Sequence, residues 1–294
     1  MSVTSVDTSV DGVHFRLADG WMTPHDVGWR SLAVALSDLA AMGAQPGEAY
    51  IALALAPGFG DDAALELMRG ANAVARCTQT TIAGGDVVSA PVLMVSVTVV
   101  GWANSPDELT HRNGALVGDL VGVTGELGGA GAALALLRSG DVNVGSSPAW
   151  KSCVQRLRTP VPRLAQGSAL AGAGAHAMID LSDGLATDAK HLGEASGAHV
   201  RVRLADLPVQ AGVAEIADRL GLDPVALACA AGDDYELCVC VAPSDCHAAE
   251  QALEKAGNVG VTWIGEVVDG APGLTLLDAH GAPVPMRGFE HRTD

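Results

Sequence analysis

Aromatic side chains are scarce in this 294-residue chain, at 3% of positions. A core built on stacked rings is therefore excluded, and the 49% of hydrophobic residues must pack mainly as Ala, Val and Leu. Lysine occurs only at Lys151, Lys190 and Lys255, and the formal net charge is −17. That balance argues against a nucleic-acid partner, because phosphate backbones are gripped by clustered Lys and Arg. The six cysteines contain no C-x-x-C pair, which removes zinc-ribbon and thioredoxin-like chemistry. Cys238 and Cys240 alternate along an expected strand and read as small core residues, in keeping with a reducing cytoplasm. The first ten residues, MSVTSVDTSV, show no basic segment followed by an apolar stretch, so no signal peptide is visible. No uncharged apolar run reaches membrane-spanning length, and no membrane partner is expected.

Nucleotide signatures are also missing. There is no G-x-x-x-x-G-K-[ST] loop, no H-R-D with D-F-G, and no G-x-S-x-G elbow. If the protein handles ATP, metal ions must offset most of its charge, with Arg112 among the few cations to help. The excess acidity then has two readings: a solvated surface, or carboxylates gathered on a divalent cation.

What is present is punctuation. With 36 Gly and 14 Pro, many short elements are expected. Residues 2–6 read as a strand. Thr23-Pro24-His25-Asp26 is a helix start, with Thr as cap and Pro in the first turn, and the helix should run to Met42 before Gly43. A second helix should open at Asp61-Asp62, and a short strand, 80–83, should end in Gly84-Gly85-Asp86. Residues 92–100 and 120–124 read as strands, 125–137 as a glycine-rich loop entering a helix, and 139–149 as a mobile loop. A strand at 177–180 should turn through Ser182-Asp183-Gly184 into a helix. A strand at 236–241, a helix at 244–256 and two final strands should follow. The alternation argues an α/β or α+β fold. A change of character near residue 112 divides the chain into 1–115 and 116–294, and Ser37-Asp38 faintly echoes Ser182-Asp183.

Asp38 sits inside LAVALSDLAAMG, with Val34, Ala35, Ala41 and Met42 as its helical neighbours. A carboxylate there either lies on an exposed edge or loses hydration to some purpose, such as a metal ion. Asp7, Asp86 and Asp180 each fall near the expected C-terminal end of a strand, where α/β folds collect ligand groups, though Asp is also an ordinary turn residue. Four such carboxylates suit a hard cation such as Mg2+; their spacing does not show that they meet. Ser182 reads as a helix cap beside a phosphate-accepting helix start. His14, after Asp11-Gly12-Val13, has no clear role from its surroundings.

In order along the chain, SVDTSVDGVHF (5–15), LAVALSDLAAMGAQP (32–46), AGGDV (83–87), LTHRNGALVGD (109–119), MIDLSDGL (178–185) and GDDYEL (232–237) resemble the thiamine-monophosphate kinase family, in the superfamily of aminoimidazole ribonucleotide synthetase. The resemblance implies a two-domain fold, each domain a mixed sheet with helices packed on it. It also implies a homodimer formed by the N-terminal domains and ATP held near the domain boundary. It further implies Mg2+ ligands at Ser5, Val6 (through its backbone), Asp7, Asp38, Asp86, Asp180 and Asp183. ATP contacts would lie at Gly85, Asp86, Arg112 and Ser182, and thiamine-phosphate contacts at His14, Asp233 and Phe289. The implied chemistry is in-line transfer of the γ-phosphoryl group to the substrate phosphate, with no side-chain base. Three departures stand out: Val6 where Thr is usual, Asp233 where Glu is usual, and no Gly-Asp-Asp-Ala-Ala segment ahead of residue 5, which leads us to expect sequence upstream. The residues would also suit another ligase-like enzyme of the superfamily, or a nucleotide-binding dimer without turnover.

Overall fold

The computed structural model describes residues 1–140, 147–286 and 288. In chain order the first sheet and its helices are β1 (Ser2–Val10), α1 (Pro24–Ala41), β2 (Gln45–Leu55), α2 (Asp61–Thr78), β3 (Thr81–Ser89) and β4 (Met94–Trp102). The strands lie in the order β1-β4-β2-β3, antiparallel except for the β2–β3 pair. Alternation sets their two faces. Val95, Val97 and Val99 of β4 are buried under α1, and their register partners Ser9, Asp7 and Ser5 on β1 share that covered side. The other face carries Val6, Tyr50 and Val88, which are 62%, 44% and 51% exposed.

Helix α1 is specified locally. Thr23 accepts from the Asp26 amide while the Asp26 carboxylate accepts from the Thr23 amide, a reciprocal cap. It crosses α2 at Gly28 and Gly70, where an added Cβ would run into Leu67 O and His25 O, so only glycine permits the approach.

The second sheet and its helices follow: β5 (Leu120–Thr124), α3 (Gly129–Arg138), α4 (Pro148–Arg158), α5 (Leu164–Gly172), β6 (Ala177–Asp180), α6 (Leu185–Ser196), β7 (His199–Arg203), α7 (Val213–Leu220), α8 (Pro224–Ala230), β8 (Leu237–Val241), α9 (Cys246–Ala256), β9 (Val261–Val268) and β10 (Gly273–Leu277). Strand order is β10-β7-β9-β5-β8-β6, antiparallel except β10–β7. Cys238 and Cys240 are fully buried in β8. The two-sheet, mixed architecture is the one anticipated, with a continuous hydrophobic cluster running from α1 and β4 into α3, α4 and β8.

Two expectations need correction. β1 extends to Val10 and β3 to Ser89, so Asp7 and Asp86 lie within strands and not at their ends. The double glycine before Asp86 does not end the strand: an added Cβ at Gly85 would strike the Ile51 carbonyl of β2. Of the anticipated loop at 139–149, residues 141–146 lie outside the described residues, and Pro148 already opens α4 behind a Ser147 cap.

The passage from α8 to β8 is clamped by charge. Glu236 is fully buried and accepts from Arg156 at 2.5 Å, from Arg163 Nε at 2.7 Å and Nη2 at 2.6 Å, and from Thr124 Oγ1 at 2.7 Å. Asp234 accepts from the Gly128 amide, just ahead of α3, at 2.9 Å. The segment joining α8 to β8 is thus pinned on both sides.

Candidate active site

Asp7 from β1, Asp38 from α1 and Asp180 from the end of β6 come together where the two domains meet. Ser5 Oγ donates to Asp38, and Ser37 Oγ donates to Asp180 Oδ2 at 2.6 Å. Adjacent residues of one helix therefore serve two partners from different sheets. Burial, then the Asp38 charge and a hydrogen bond with Asp38, push Asp7 up to about 6. Burial, then Asp38, push Asp180 up to about 7, against the lowering effect of the Ser37 bond. A fourth acid, Asp188 of α6, is pushed to about 8 by burial and by Asp180 and Asp183. It accepts from the Asp183 amide at 3.0 Å, which holds the turn after β6.

Burial and mutual repulsion make this group of carboxylates costly without a cation. Among the described residues no three His, Cys, Asp or Glu form a ready-made metal cage.

The remaining anticipated residues fall in several places. Val6 turns its side chain to the open face of β1, leaving only its backbone at the site. Asp86 does not join the cluster within the chain. It sits on β3, three strand spacings from β1, roughly 14 Å, and its register partners Ala52, Ser96 and Thr8 place it on the open face. Its Oδ1 accepts from the Val87 amide at 2.9 Å. Arg112 is exposed in the loop beside β6; its carbonyl accepts from Ser196 Oγ at 3.2 Å. The Ser182 carbonyl accepts from the Asp233 amide at 2.8 Å, tying two anticipated turns together. His14 Nδ1 accepts from the Val10 amide at 3.1 Å, just past β1. Gly288 packs against the turn, where a Cβ would lie 2.6 Å from Asp183 O. Phe289 lies outside the described residues.

Sequence reasoning missed Arg30, Ser37 and Asp188. Arg30 of α1 is buried and donates through Nη2 to Asp233 Oδ1 at 2.5 Å. An arginine on the apolar side of a capped helix was the available signal. Ser37 and Asp188 looked like ordinary helical polar residues.

A four-stranded and a six-stranded mixed sheet, meeting at a buried acidic junction, define an AIR synthase related protein of two domains. Residues 1–103 match the model for AIR synthase related protein, N-terminal domain, and residues 117–276 the model for AIR synthase related protein, C-terminal domain. The chain is 33% identical to a thiamine-monophosphate kinase of Rhodopirellula baltica, over 92% of this chain and 77% of the relative. It is 35% identical to that of Escherichia coli, over 98% and 85%. The crystal structure of thiamine-monophosphate kinase from Stenotrophomonas maltophilia superposes with a TM-score of 0.86 at 34% identity, covering 94% of this chain and 85% of that one. A structure described as AaThiL complexed with AMPPCP and TMP superposes with a TM-score of 0.85 at 27% identity, covering 99% and 87%. The chain belongs to the thiamine-monophosphate kinase family. Hydrogenase maturation protein HypE shares the fold, at 20% identity and a TM-score of 0.79.

Proposed function

We propose that this protein is an ATP-dependent kinase that phosphorylates thiamine monophosphate to thiamine diphosphate, assisted by Mg2+. The observation that carries this is the meeting of Asp7, Asp38 and Asp180, from three elements and both domains, in a family whose relative was solved with AMPPCP and TMP. An oxygen of the acceptor phosphate attacks the γ-phosphorus of ATP, a P–O bond forms, and the bond to ADP breaks. The attacking oxygen is already anionic, so no side-chain base is required. Bound magnesium would supply charge neutralisation between the two phosphates. Asp7, Asp38 and Asp180 would hold it, with Ser5, the Val6 backbone and Asp183 beside them. Ser37 keeps Asp180 aligned, and Asp188 keeps the turn at 182–184 in shape. Ser182, Gly85 and Arg112 are the proposed ATP contacts, and His14, Asp233 and Phe289 the proposed acceptor contacts.

We also propose a homodimer through the open face of the first sheet. The exposed Val6, Tyr50 and Val88 on that face support it. A second copy seated there is the arrangement that could bring Asp86 to an acidic site. The six cysteines are all free, which supports a reducing compartment such as the cytoplasm. Among the described residues no helix is long and apolar enough to cross a membrane.

Incubating purified protein with ATP, Mg2+ and thiamine monophosphate should give thiamine diphosphate and ADP in equal amounts, read by chromatography. Absence of both products at saturating substrate would remove the kinase assignment.

A further inference from the structure

Arg30 stands on the face of α1 that carries Ser37 and Asp38, about two helical turns away. Its side chain is 7% exposed, and the C-terminal domain engages it completely. Nη1 donates to Leu157 O at 2.9 Å, Nη2 donates to Asp233 Oδ1 at 2.5 Å, and Cζ lies 5.5 Å from the centre of the Tyr235 ring. The Tyr235 hydroxyl donates to the same Asp233 oxygen at 3.1 Å. Asp233 and Tyr235 both adopt left-handed backbone, at φ +63° and +50°, a conformation that non-glycine residues hold only when their surroundings enforce it.

Such an arrangement is a poor way to glue domains. A buried ion pair seldom stabilises more than an apolar pair of equal volume, whereas it does fix geometry. Two donors on one oxygen set the rotation of the Asp233 carboxylate, and neither occupies Oδ2. The Asp233 side chain keeps 28% exposure, so it remains open to a ligand. One helix face thus orders two groups of the C-terminal domain at once: Asp180 through Ser37, and Asp233 through Arg30.

We propose that Arg30 is a positioning residue for the acceptor substrate. It holds the Asp233 side chain in one orientation, so that its carboxyl group receives the cationic or hydrogen-bond-donating heterocycle of the acceptor at a set distance from the acidic cluster. The inference rests on the kinase assignment above and adds the residue that sets acceptor recognition.

The test compares wild type with Arg30→Gln, Arg30→Lys and Tyr235→Phe. KM for thiamine monophosphate and for ATP are measured separately, and thiamine monophosphate binding is titrated by calorimetry without ATP. Arg30→Gln should raise the acceptor KM and Kd about tenfold, the loss of one charge-assisted hydrogen bond, with the ATP KM within about twofold of wild type. Arg30→Lys should recover part of the loss, since it keeps charge but cannot serve Leu157 and Asp233 together. Tyr235→Phe should weaken the acceptor alone, by less. Unchanged acceptor binding in the folded variants, or equal losses for acceptor and ATP, would overturn the proposal. If Arg30→Gln does not fold, Arg30→Lys and Tyr235→Phe decide by the same criteria. A wild type that binds thiamine monophosphate without turning it over would sink the kinase assignment while the calorimetry still judges Arg30. A wild type that does neither would remove both.

Discussion

Ser37 donates a 2.6 Å hydrogen bond to Asp180, 143 positions later and in the other domain. The next residue, Asp38, accepts from Ser5 on β1. One step along α1 therefore separates a contact that joins the domains from a contact inside the first one. Any tilt of the helix moves both, and with them the three carboxylates.

Replacing Asp38 with Asn should separate stability from activity. Asp38 raises the pKa of both Asp7 and Asp180 through its charge, so removing it relieves repulsion in the metal-free protein. Calorimetry without Mg2+ should show the melting temperature rise by about 2 °C, while kcat falls at least about 100-fold. A variant as active as wild type would take Asp38 out of the site.

The metal-free protein should lose stability as pH rises. Burial pushes Asp188 to about 8 and Asp234 to about 7, from an ordinary 3.8. Between the unfolded and folded values the native state binds more protons than the unfolded chain, so stability declines with rising pH across that window. Urea unfolding in EDTA from pH 4.5 to 8 should show a falling midpoint, and Asp234→Asn should flatten its slope. A midpoint that climbs over this range would contradict the assignment.

Asp86 allows the dimer to be tested by complementation. If it acts across subunits, Asp38→Asn and Asp86→Asn homodimers should each be inactive. Refolded together, half the dimers are mixed and each has one intact site, giving about a quarter of wild-type activity. No recovery, with mixed dimers confirmed by mass, would place Asp86 in the site of its own chain, and an active Asp86→Asn homodimer would take it out of catalysis. Tyr50→Asp on the same open face should shift the sedimenting species to monomer.

Two ion pairs of similar geometry should differ in weight. Arg163 meets Glu236, whose side chain is 0% exposed, whereas Glu66 and Arg69 are 47% and 64% exposed. Arg163→Met strips compensation from a buried charge and should cost about 3 kcal/mol in denaturant unfolding. Arg69→Ala should cost no more than about 0.5 kcal/mol.

Much of the local structure was legible. The Thr23-Pro24-Asp26 start of α1 depends on hydrogen bonds three residues apart, and it formed as anticipated. Asp180 at the end of β6 was legible because the turn 181–184 follows at once. Asp86 was misplaced because glycine carries two meanings. Next to Asp it suggested the end of a strand, but at Gly85 it answers a carbonyl on another strand. Arg30 was missed because the partner that defines it, Asp233, lies 203 positions away.

The chain alone determined where α1 and α2 begin, that 177–180 is a strand, which residues are apolar enough to be buried, and which carboxylates were worth watching, since those properties follow from neighbours a few residues apart. Only the tertiary structure decided that Asp7 faces α1 while Asp86 faces away, because sheet register, shifted by an irregularity at Ala49–Tyr50, sets the side to which each alternate residue turns. Only it placed Arg30 on Asp233 and Ser37 on Asp180, since both contacts form across packed domains and leave no local trace in the sequence.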